Sequence, residues 1–260
     1  MPLICFASPK GGVGKTTLAA NVARELLRAG REVVALDVDP QNALRLPFGV
    51  PLADREGFAA QLAARPDWRR CLRPTPSGVG LLAHGPCDLP EAMALSAAVA
   101  AQPDLLADPL RDMLARPGLH VVADTAPGPS AQLSAVLPLA DLVVTVLLVD
   151  AGSVSLIPAV ESGASYGGMV PERYVYVLNQ YDPRTRLGPA IAETVARRLG
   201  DRRLLGLVYR DENVAEALAA QKLVAEYAPA SKAAHDMAQL ATVIAARLAE
   251  AAENAGGVAA

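Results

Sequence analysis

The 260-residue sequence contains few residues that could form a covalent or metal-bound framework. Its three cysteines, Cys5, Cys71 and Cys87, are odd in number and lack the spacing of a disulfide set or a zinc cluster. We expect these thiols to be reduced and mostly buried. The histidines are isolated from one another, so we expect structural or surface positions for all of them, namely His84, His120 and His235.

Long apolar runs and an excess of positive charge are also missing. Charged residues, Pro or Gly interrupt every apolar stretch before it reaches the length of a membrane-spanning helix. The first residues carry no charged region ahead of their apolar run, which argues against a signal peptide. The net charge is −3, and no basic tail of the kind that binds nucleic acids is present. We therefore expect a cytoplasmic protein with no integral membrane segment and no stable nucleic-acid binding.

The distribution of apolar residues predicts an α/β fold. Hydrophobic residues make up 52% of the chain, enough for one large core. Runs of β-branched residues without polar alternation predict strands that are covered on both faces. We therefore predict a doubly wound, mostly parallel β-sheet flanked by helices, as a single domain over 1–255 with a flexible tail over 256–260. Six apolar runs are predicted as strands, at 2–7, 31–39, 119–127, 140–150, 173–182 and 202–211.

Two segments show the apolar spacing of helices. The first covers about 16–29 and is closed by Gly30. The second, about 231–252, is predicted to pack on the sheet edge rather than to lie on a membrane, because its end is acidic. Residues 41–118 are rich in Pro and Arg and predict short helices mixed with irregular chain. The apolar residues that define the two helices are Leu18, Val22, Leu26 and Leu27, then Met237, Leu240, Ile244 and Leu248.

The strongest motif is the glycine-rich loop KGGVGKTT, which lies between the first strand and the first helix. The standard phosphate-binding pattern has a Gly separated from its Gly-Lys pair by four residues, and Pro9 stands there instead. The sequence therefore matches the deviant form, whose extra lysine is Lys10. Glycines let successive backbone N–H groups point at phosphate oxygens, and the start of the helix adds its positive dipole end.

Roles for the loop residues follow from this chemistry. We predict that Lys15 neutralises charge on the β- and γ-phosphates, that Thr16 offers its hydroxyl to Mg²⁺, and that Thr17 lies at the α-phosphate. The predicted nucleotide-binding residues of the loop are Gly11, Gly12, Val13, Gly14, Lys15, Thr16 and Thr17.

Carboxylates end two of the predicted strands. Asp37 and Asp39 alternate along the second strand and so share a face. We predict that Asp39 orients an attacking water and that Asp37 helps to hold the Mg²⁺ shell. The alternative is that both residues only form a turn before Pro40. Asp124 ends the third strand and has the character of a residue that reaches Mg²⁺ through water.

Together these elements resemble the MinD/ParA (SIMIBI) family of P-loop ATPases, and later segments match the family in order over nearly the whole chain. The resemblance implies ATP and Mg²⁺ as cofactors and slow ATP hydrolysis, with Lys10, Lys15 and Asp39 as catalytic residues. It also implies that Lys10 crosses to the phosphates of the other protomer. The ATP-bound form would then be a homodimer that encloses the nucleotides.

The resemblance further implies which residues contact the adenine base. Asn179, in VLNQYD, matches the family residue that does so. The family usually has Pro-Asp in the turn that borders the base, where this chain has Arg210-Asp211. Base contacts in that turn, including the one assigned to Arg210, therefore stay open.

The variable segments resemble one subfamily, the bacterial cellulose-biosynthesis ATPases called BcsQ. The likeness lies in QNALRLPFGVPLADREGFAAQLAARPDWRR, in GVGLLAHGPCDLPEA and in YRDENVAEALAAQKLVAEY. These segments carry no known chemistry, so shared sequence there indicates kinship. It implies an accessory subunit of bacterial cellulose synthesis and secretion that acts beside the small protein BcsR, the regulatory protein BcsE and the cellulose synthase complex. Those protein partners would recruit it to the inner membrane.

Three other functions compete with this interpretation. A ParA-type ATPase that partitions DNA or cargo would need a basic face, but we expect the arginine clusters at 69–73 and 197–203 to be solvated. A MinD-type membrane switch conflicts with the acidic end of the chain. A small-molecule ligase on the same scaffold would need a substrate-binding set near the γ-phosphate, and no His or second Lys occurs in a matching motif.

Overall fold

A computed structural model describes residues 1–64, 67–166 and 173–257. Within them, eight strands form one sheet in the order β3-β4-β2-β5-β1-β6-β7-β8. The short edge strand β3 pairs antiparallel with β4, and the other neighbouring strands pair in parallel. The strands are β1 (Leu3–Ala7), β2 (Glu32–Asp37), β3 (Arg73–Pro74), β4 (Gly80–Leu82), β5 (Leu119–Asp124), β6 (Leu142–Leu148), β7 (Tyr174–Tyr181) and β8 (Leu204–Tyr209).

Helices cover both faces of this sheet, which confirms the predicted doubly wound α/β fold. Two short 3₁₀ helices, Ala59–Ala64 and Leu137–Leu139, supplement them. The α-helices are α1 (Lys15–Arg28), α2 (Trp68–Cys71), α3 (Leu89–Ala101), α4 (Asp104–Leu114), α5 (Ala131–Val136), α6 (Ala151–Val154), α7 (Ile157–Glu161), α8 (Gly188–Leu199), α9 (Glu212–Ala219), α10 (Val224–Tyr227) and α11 (Lys232–Gly257).

The hydrophobic core lies on both sides of the sheet, because the central strands bury both of their faces. In β1, Ile4 and Phe6 face one cluster, which includes apolar residues of α1 and α11. Leu3, Cys5 and Ala7 face a second cluster, which includes residues of α4, α5 and α8. This alternation explains why the predicted strands read as continuous apolar runs rather than as alternating patterns.

The first helix begins and ends as its sequence predicts. The helix α1 buries Leu18 and Leu26 against the sheet. After it, Gly30 takes a φ of 82°, a left-handed conformation that glycine adopts without steric cost. The Gly30 N–H donates to Leu27 O, and the Arg31 N–H donates to Leu26 O. These two bonds form a Schellman motif that closes the helix.

Residues 41–118 contain more sheet than the sequence predicts. We expected short helices and irregular chain, but β4 pairs with β2 and β3 pairs with β4. The strand β4 is only three residues long, too short for an apolar run to be recognised. Within this region, Gly57 lies so close to Gly85 that a Cβ at either position would collide with the other backbone.

The last helix packs as predicted on the edge of the sheet. Met237, Leu240 and Ile244 are buried in the same cluster as residues of α1 and β8. The helix continues to Gly257, and residues 258–260 of the predicted tail lie outside the described residues. Among the described residues, no helix combines the length and apolar character needed to cross a membrane.

Candidate functional site

The glycine-rich loop joins β1 to α1 and presents free backbone N–H groups. Gly12 and Gly14 take φ angles of 72° and 92°, which side chains of L-residues disfavour. Gly14 caps α1 without a side-chain hydrogen bond, and the first helical bond runs from the Leu18 N–H to Gly14 O at 3.0 Å. The N–H groups of residues 15–17 therefore have no partner within the helix, which makes this end of α1 suited to an anion.

Lys15 lies at the start of α1 in a buried position, only 6% exposed. Burial lowers the pKa of its ammonium group, and the nearby carboxylates of Asp124 and Asp39 act in the opposite direction. A cation held out of water in this way interacts strongly with any anion that enters the loop.

Thr16 and Asp124 face each other across the loop. The Thr16 hydroxyl donates a hydrogen bond of 2.6 Å to Oδ2 of Asp124, which ends β5. Asp124 is completely buried, and its Oδ1 has no hydrogen-bond partner among the described residues. Burial raises the pKa of Asp124 to about 7, although the Thr16 hydroxyl and the Lys15 ammonium group act to lower it.

Asp37 is the direct neighbour of Asp124, since the two residues are register partners at the ends of β2 and β5. Burial, and next the Asp124 carboxylate, raise the pKa of Asp37 well above its ordinary range. The oxygens of Asp37 accept the N–H groups of Asp39 and Leu44, each at 3.0 Å. The carboxylate therefore shapes the loop after β2, and its assignment to a magnesium shell stays a prediction.

Asp39 lies at the same edge of the sheet, largely buried. Its Oδ1 accepts the Gln41 N–H at 2.9 Å, and its carbonyl accepts the Asn42 N–H. The turn that the sequence suggests is therefore present. It uses Oδ1 and the carbonyl oxygen of Asp39 rather than Oδ2. Three carboxylates thus lie close to the loop, at Asp37, Asp39 and Asp124.

The donor set at this edge suits a magnesium ion bound with phosphate. An unpartnered buried carboxylate oxygen, a threonine hydroxyl and a second carboxylate on the neighbouring strand are hard oxygen donors, which Mg²⁺ prefers. Across the described chain, no three His, Cys, Asp or Glu side chains are arranged to hold a metal ion by themselves. Thr16, Asp124 and Asp37 are the residues that would hold the ion, and it would supply positive charge opposite the phosphates.

Lys10 pairs with a residue outside the loop. Its Nζ lies 3.0 Å from Oδ2 of Asp150, and both side chains are about two-fifths exposed, at 40% and 42%. Asp150 follows β6 and caps α6, because its Oδ1 accepts the Ser153 N–H at 2.6 Å. In this structure Lys10 is therefore held by its own chain at the surface.

The two residues predicted to contact a base lie beside a cavity of about 220 Å³ next to the loop. Asn179 is buried, and its Nδ2 donates to Val13 O at 2.8 Å, which fixes the side chain against the loop. The cavity also contacts Gly14, Thr17, Gln180, Tyr209, Arg210 and Asp211.

The whole chain and its fold resemble proteins of known class. Residues 1–244 match the sequence profile of the family described as cellulose biosynthesis protein BcsQ. The chain is 27% identical over 245 residues to BcsQ of Escherichia coli, covering 93% of each protein. It is 31% identical over 256 residues to the chromosome-partitioning ATPase Soj of Thermus thermophilus, covering 95% of this chain and 97% of Soj.

The chain belongs to the BcsQ family, within the MinD/ParA ATPases. Its fold agrees with this: the septum site-determining protein MinD of Pyrococcus horikoshii, solved with Mg-ADP, superimposes with a TM-score of 0.74. That comparison covers 92% of this chain and 94% of MinD at 22% identity.

In this BcsQ-family chain the predicted residues fall into three places. The first holds the loop, Lys15 and the carboxylates at the carboxyl ends of β1, β2 and β5. The second is the cavity beside Asn179 and Arg210. Lys10 stands apart at the surface. The roles of these residues are not tested by the geometry alone and stay predictions.

Sequence reasoning missed Asp150, the partner of Lys10. The signal was present, because Asp150 ends an apolar strand in the same way as Asp124. The Thr125 hydroxyl, in the turn after β5, donates to Phe6 O at 2.8 Å and so ties that turn to the strand that leads into the loop.

Proposed function

We propose that this chain binds Mg·ATP at the glycine-rich loop and hydrolyses it slowly. One observation supports this most: free N–H groups at the start of α1 lie beside the buried Lys15 and an Asp124 oxygen with no partner. Each of these groups is unfavourable in isolation, and a triphosphate with its cation would satisfy all of them.

The proposed roles follow the positions of the side chains. Lys15 binds the β- and γ-phosphates, Thr17 the α-phosphate, and Thr16 with Asp124 and Asp37 the Mg²⁺ ion. Asp39 orients the attacking water. Asn179 and Arg210 contact the adenine base from the cavity beside the loop.

These roles separate binding from turnover. Asp39→Asn should retain ATP binding but lose most of the turnover, because it removes a charge that positions water and no phosphate contact. Phosphate release and equilibrium binding, measured on the same variant, check this. Undiminished turnover would assign the role of Asp39 to another residue.

We further propose that ATP converts the chain from a monomer to a homodimer through Lys10. Its ion pair with Asp150 is exposed, and exposed pairs contribute about 1 kcal/mol or less. Two nearby phosphate groups on a second protomer would attract the ammonium group more strongly than one solvated carboxylate. Lys10 would then exchange partners when two nucleotide-loaded chains meet.

A pair of variants tests this exchange. Lys10→Ala should bind ATP and remain a monomer by light scattering after gel filtration. Asp150→Asn should dimerise at lower ATP concentration, because it releases Lys10 while its side-chain oxygen still caps α6. A Lys10→Ala protein that dimerises like the wild type would contradict the proposal.

The biological setting is proposed from the family. Membership of the BcsQ family supports a role as an accessory subunit of bacterial cellulose synthesis and secretion. Its partners would be BcsR, BcsE and the cellulose synthase complex, which would bring a cytoplasmic protein to the inner membrane. Co-purification with these three, with and without ATP, tests the role, and a chain that captures none of them in either state would exclude it.

A ParA-type function is the second candidate, because the likeness to Soj covers nearly the whole chain. It would require arginines that are free to bind DNA phosphates. In the structure, Arg198 and Arg203 both bind Glu161, at 2.6 and 2.7 Å, and Arg73 binds Asp54 and Glu56. A DNA mobility shift that depends on ATP and falls steeply with salt would favour this candidate over the cellulose role.

A further inference from the structure

A larger cavity lies on the sheet face that is turned away from α1. Its volume is about 510 Å³, within the range of sites that bind small molecules or the side chains of a peptide. Strands β2, β4 and β5 form its floor through Val34, Leu82 and Leu119. Its residues are separate from those around the glycine-rich loop and the base cavity.

The apolar part of the cavity wall comes from residues to which we assign no role in ATP binding or hydrolysis. Trp68 on α2, Leu72 after it and Met113 on α4 contact the cavity. Leu72 is 36% exposed, so the apolar surface continues past the mouth. An apolar surface that extends from a cavity to the outside suits a chain segment better than a small enclosed molecule.

Charged side chains also line the cavity, and more of them are negative than positive. Three carboxylates, Asp67, Asp108 and Asp112, stand against the two guanidinium groups of Arg69 and Arg116. Arg116 is already paired, since its Nη2 lies 2.6 Å from Oε1 of Glu32, and Asp108 is likewise paired with Arg111. This leaves Asp67 and Asp112 against Arg69. The remaining excess of negative charge favours an occupant with a cationic group.

Trp68 lies against the cavity with most of its indole buried. The side chain is only 7% exposed, and its indole Nε1 is buried with no hydrogen-bond acceptor among the described residues. A buried donor without an acceptor costs about 1–3 kcal/mol. The donor is also closed off from solvent, so an occupant of the cavity gains its affinity from the apolar floor and the charged side chains instead.

We propose that this cavity binds a basic, apolar segment of a partner polypeptide. Its apolar side chains would occupy the floor formed by Val34, Leu82 and Leu119, and a Lys or Arg side chain would lie beside Asp112. A peptide supplies apolar side chains for the floor and a cation for the negatively charged side of the cavity in one molecule.

The chain carries its own reporter for this site, because Trp68 is its only tryptophan. The full chain is titrated with capped peptides of sequence Lys-Leu-Leu-Lys and Lys-Phe-Phe-Lys while tryptophan emission is recorded. We expect a saturable change in emission with at least one of them. The Glu-Leu-Leu-Glu peptide should bind about tenfold more weakly, and Lys-Ser-Ser-Lys should give no saturable change.

Variants locate the binding. Leu72→Glu, at the mouth, should abolish the response, whereas Leu52→Glu changes an exposed leucine outside the cavity and should leave it intact. Asp112→Asn should weaken binding about threefold to tenfold. Lys15→Ala should bind the peptide like the wild type, so that failure of the nucleotide site and failure of this site are distinguishable.

Several results would overturn the proposal. The first is the absence of a saturable response to both basic apolar peptides. The second is binding of Lys-Ser-Ser-Lys with the same affinity as those peptides, and the third is an unchanged response in Leu72→Glu. If phenethylammonium saturated the response with the same affinity as the peptides, the occupant would be a small cationic molecule and not a partner segment.

Discussion

The loop edge of the sheet and the segment 41–118 are held together by different kinds of contact. At the loop edge, three buried carboxylates and the buried Lys15 lie close together, and one Asp124 oxygen has no partner. In the segment, the tilted rings of Phe58 and Trp68 pack with centroids 5.0 Å apart, and Arg73 binds two carboxylates. Both regions pack against the same sheet.

The difference shows where the chain keeps buried like charges. Burying like charges and an unpartnered oxygen is destabilising. The arrangement at the loop edge therefore lowers the stability of the folded chain, as functional sites commonly do. The segment's arginine and aromatic contacts are stabilising by themselves. We therefore expect changes at the loop edge to affect ligand binding first, and changes in the segment to affect folding first.

The largest effect should come from Gly14→Ala. At φ 92° an alanine is strained, and its Cβ would also collide with the Asn179 amide. We expect loss of Mg·ATP binding by at least about 100-fold, since the loop must move away from its N–H geometry. Gly118→Ala has a similar φ of 84° with nothing near its Cβ, and it should bind normally. Equal binding by the two variants would show that the geometry at Gly14 is not needed.

Gly57→Ala, in the segment 41–118, should lower stability rather than nucleotide binding. Its Cβ would meet the backbone of Gly85, which cannot yield as a flexible side chain would. We expect the free energy of unfolding to fall by about 2–4 kcal/mol, measured with denaturant. The matched change Gly80→Ala meets the Leu72 side chain and should be milder. If Gly57→Ala reduced nucleotide affinity without loss of stability, the division between the regions would be wrong.

A smaller effect concerns pH. The pKa of Asp124 is raised to about 7 from an ordinary 3.8, so the folded chain holds this proton more tightly than the unfolded chain. Its contribution to stability is therefore complete below about pH 4 and is lost as the pH rises through 7. Without nucleotide, the free energy of unfolding should fall over this window, on the order of 1 kcal/mol per pH unit. Asp124→Asn should make the curve less steep, and Asp37, whose pKa is also raised, accounts for slope that remains. A slope equal to that of the wild type would contradict the raised pKa of Asp124.

The six long strands and the loop could be predicted because their signals are local. Buried parallel strands such as β1 and β6 are continuous apolar runs, and the glycines at 12 and 14 mark a backbone conformation that few other residues adopt. The face shared by Asp37 and Asp39 followed from strand geometry. These features depend on neighbouring residues only.

What the sequence could not predict depends on contacts between distant residues. The strand β4 is defined by pairing with β2 rather than by its three residues. Lys10 meets Asp150 across 140 positions, and no local pattern joins them. The large cavity likewise arises where α2, α4 and three strands meet. Each of these needs the folded topology.

Calorimetric titration of the chain with Mg·ATP tests the central claim most directly. We expect saturable binding with heat that disappears in Lys15→Ala, while both proteins unfold cooperatively without nucleotide. At a hundredfold excess over Kd, the ligand should raise the free energy of unfolding by about 2.7 kcal/mol in the wild type only. Absence of heat with the folded wild type in the presence of Mg²⁺, or equal binding by Lys15→Ala, would contradict the account.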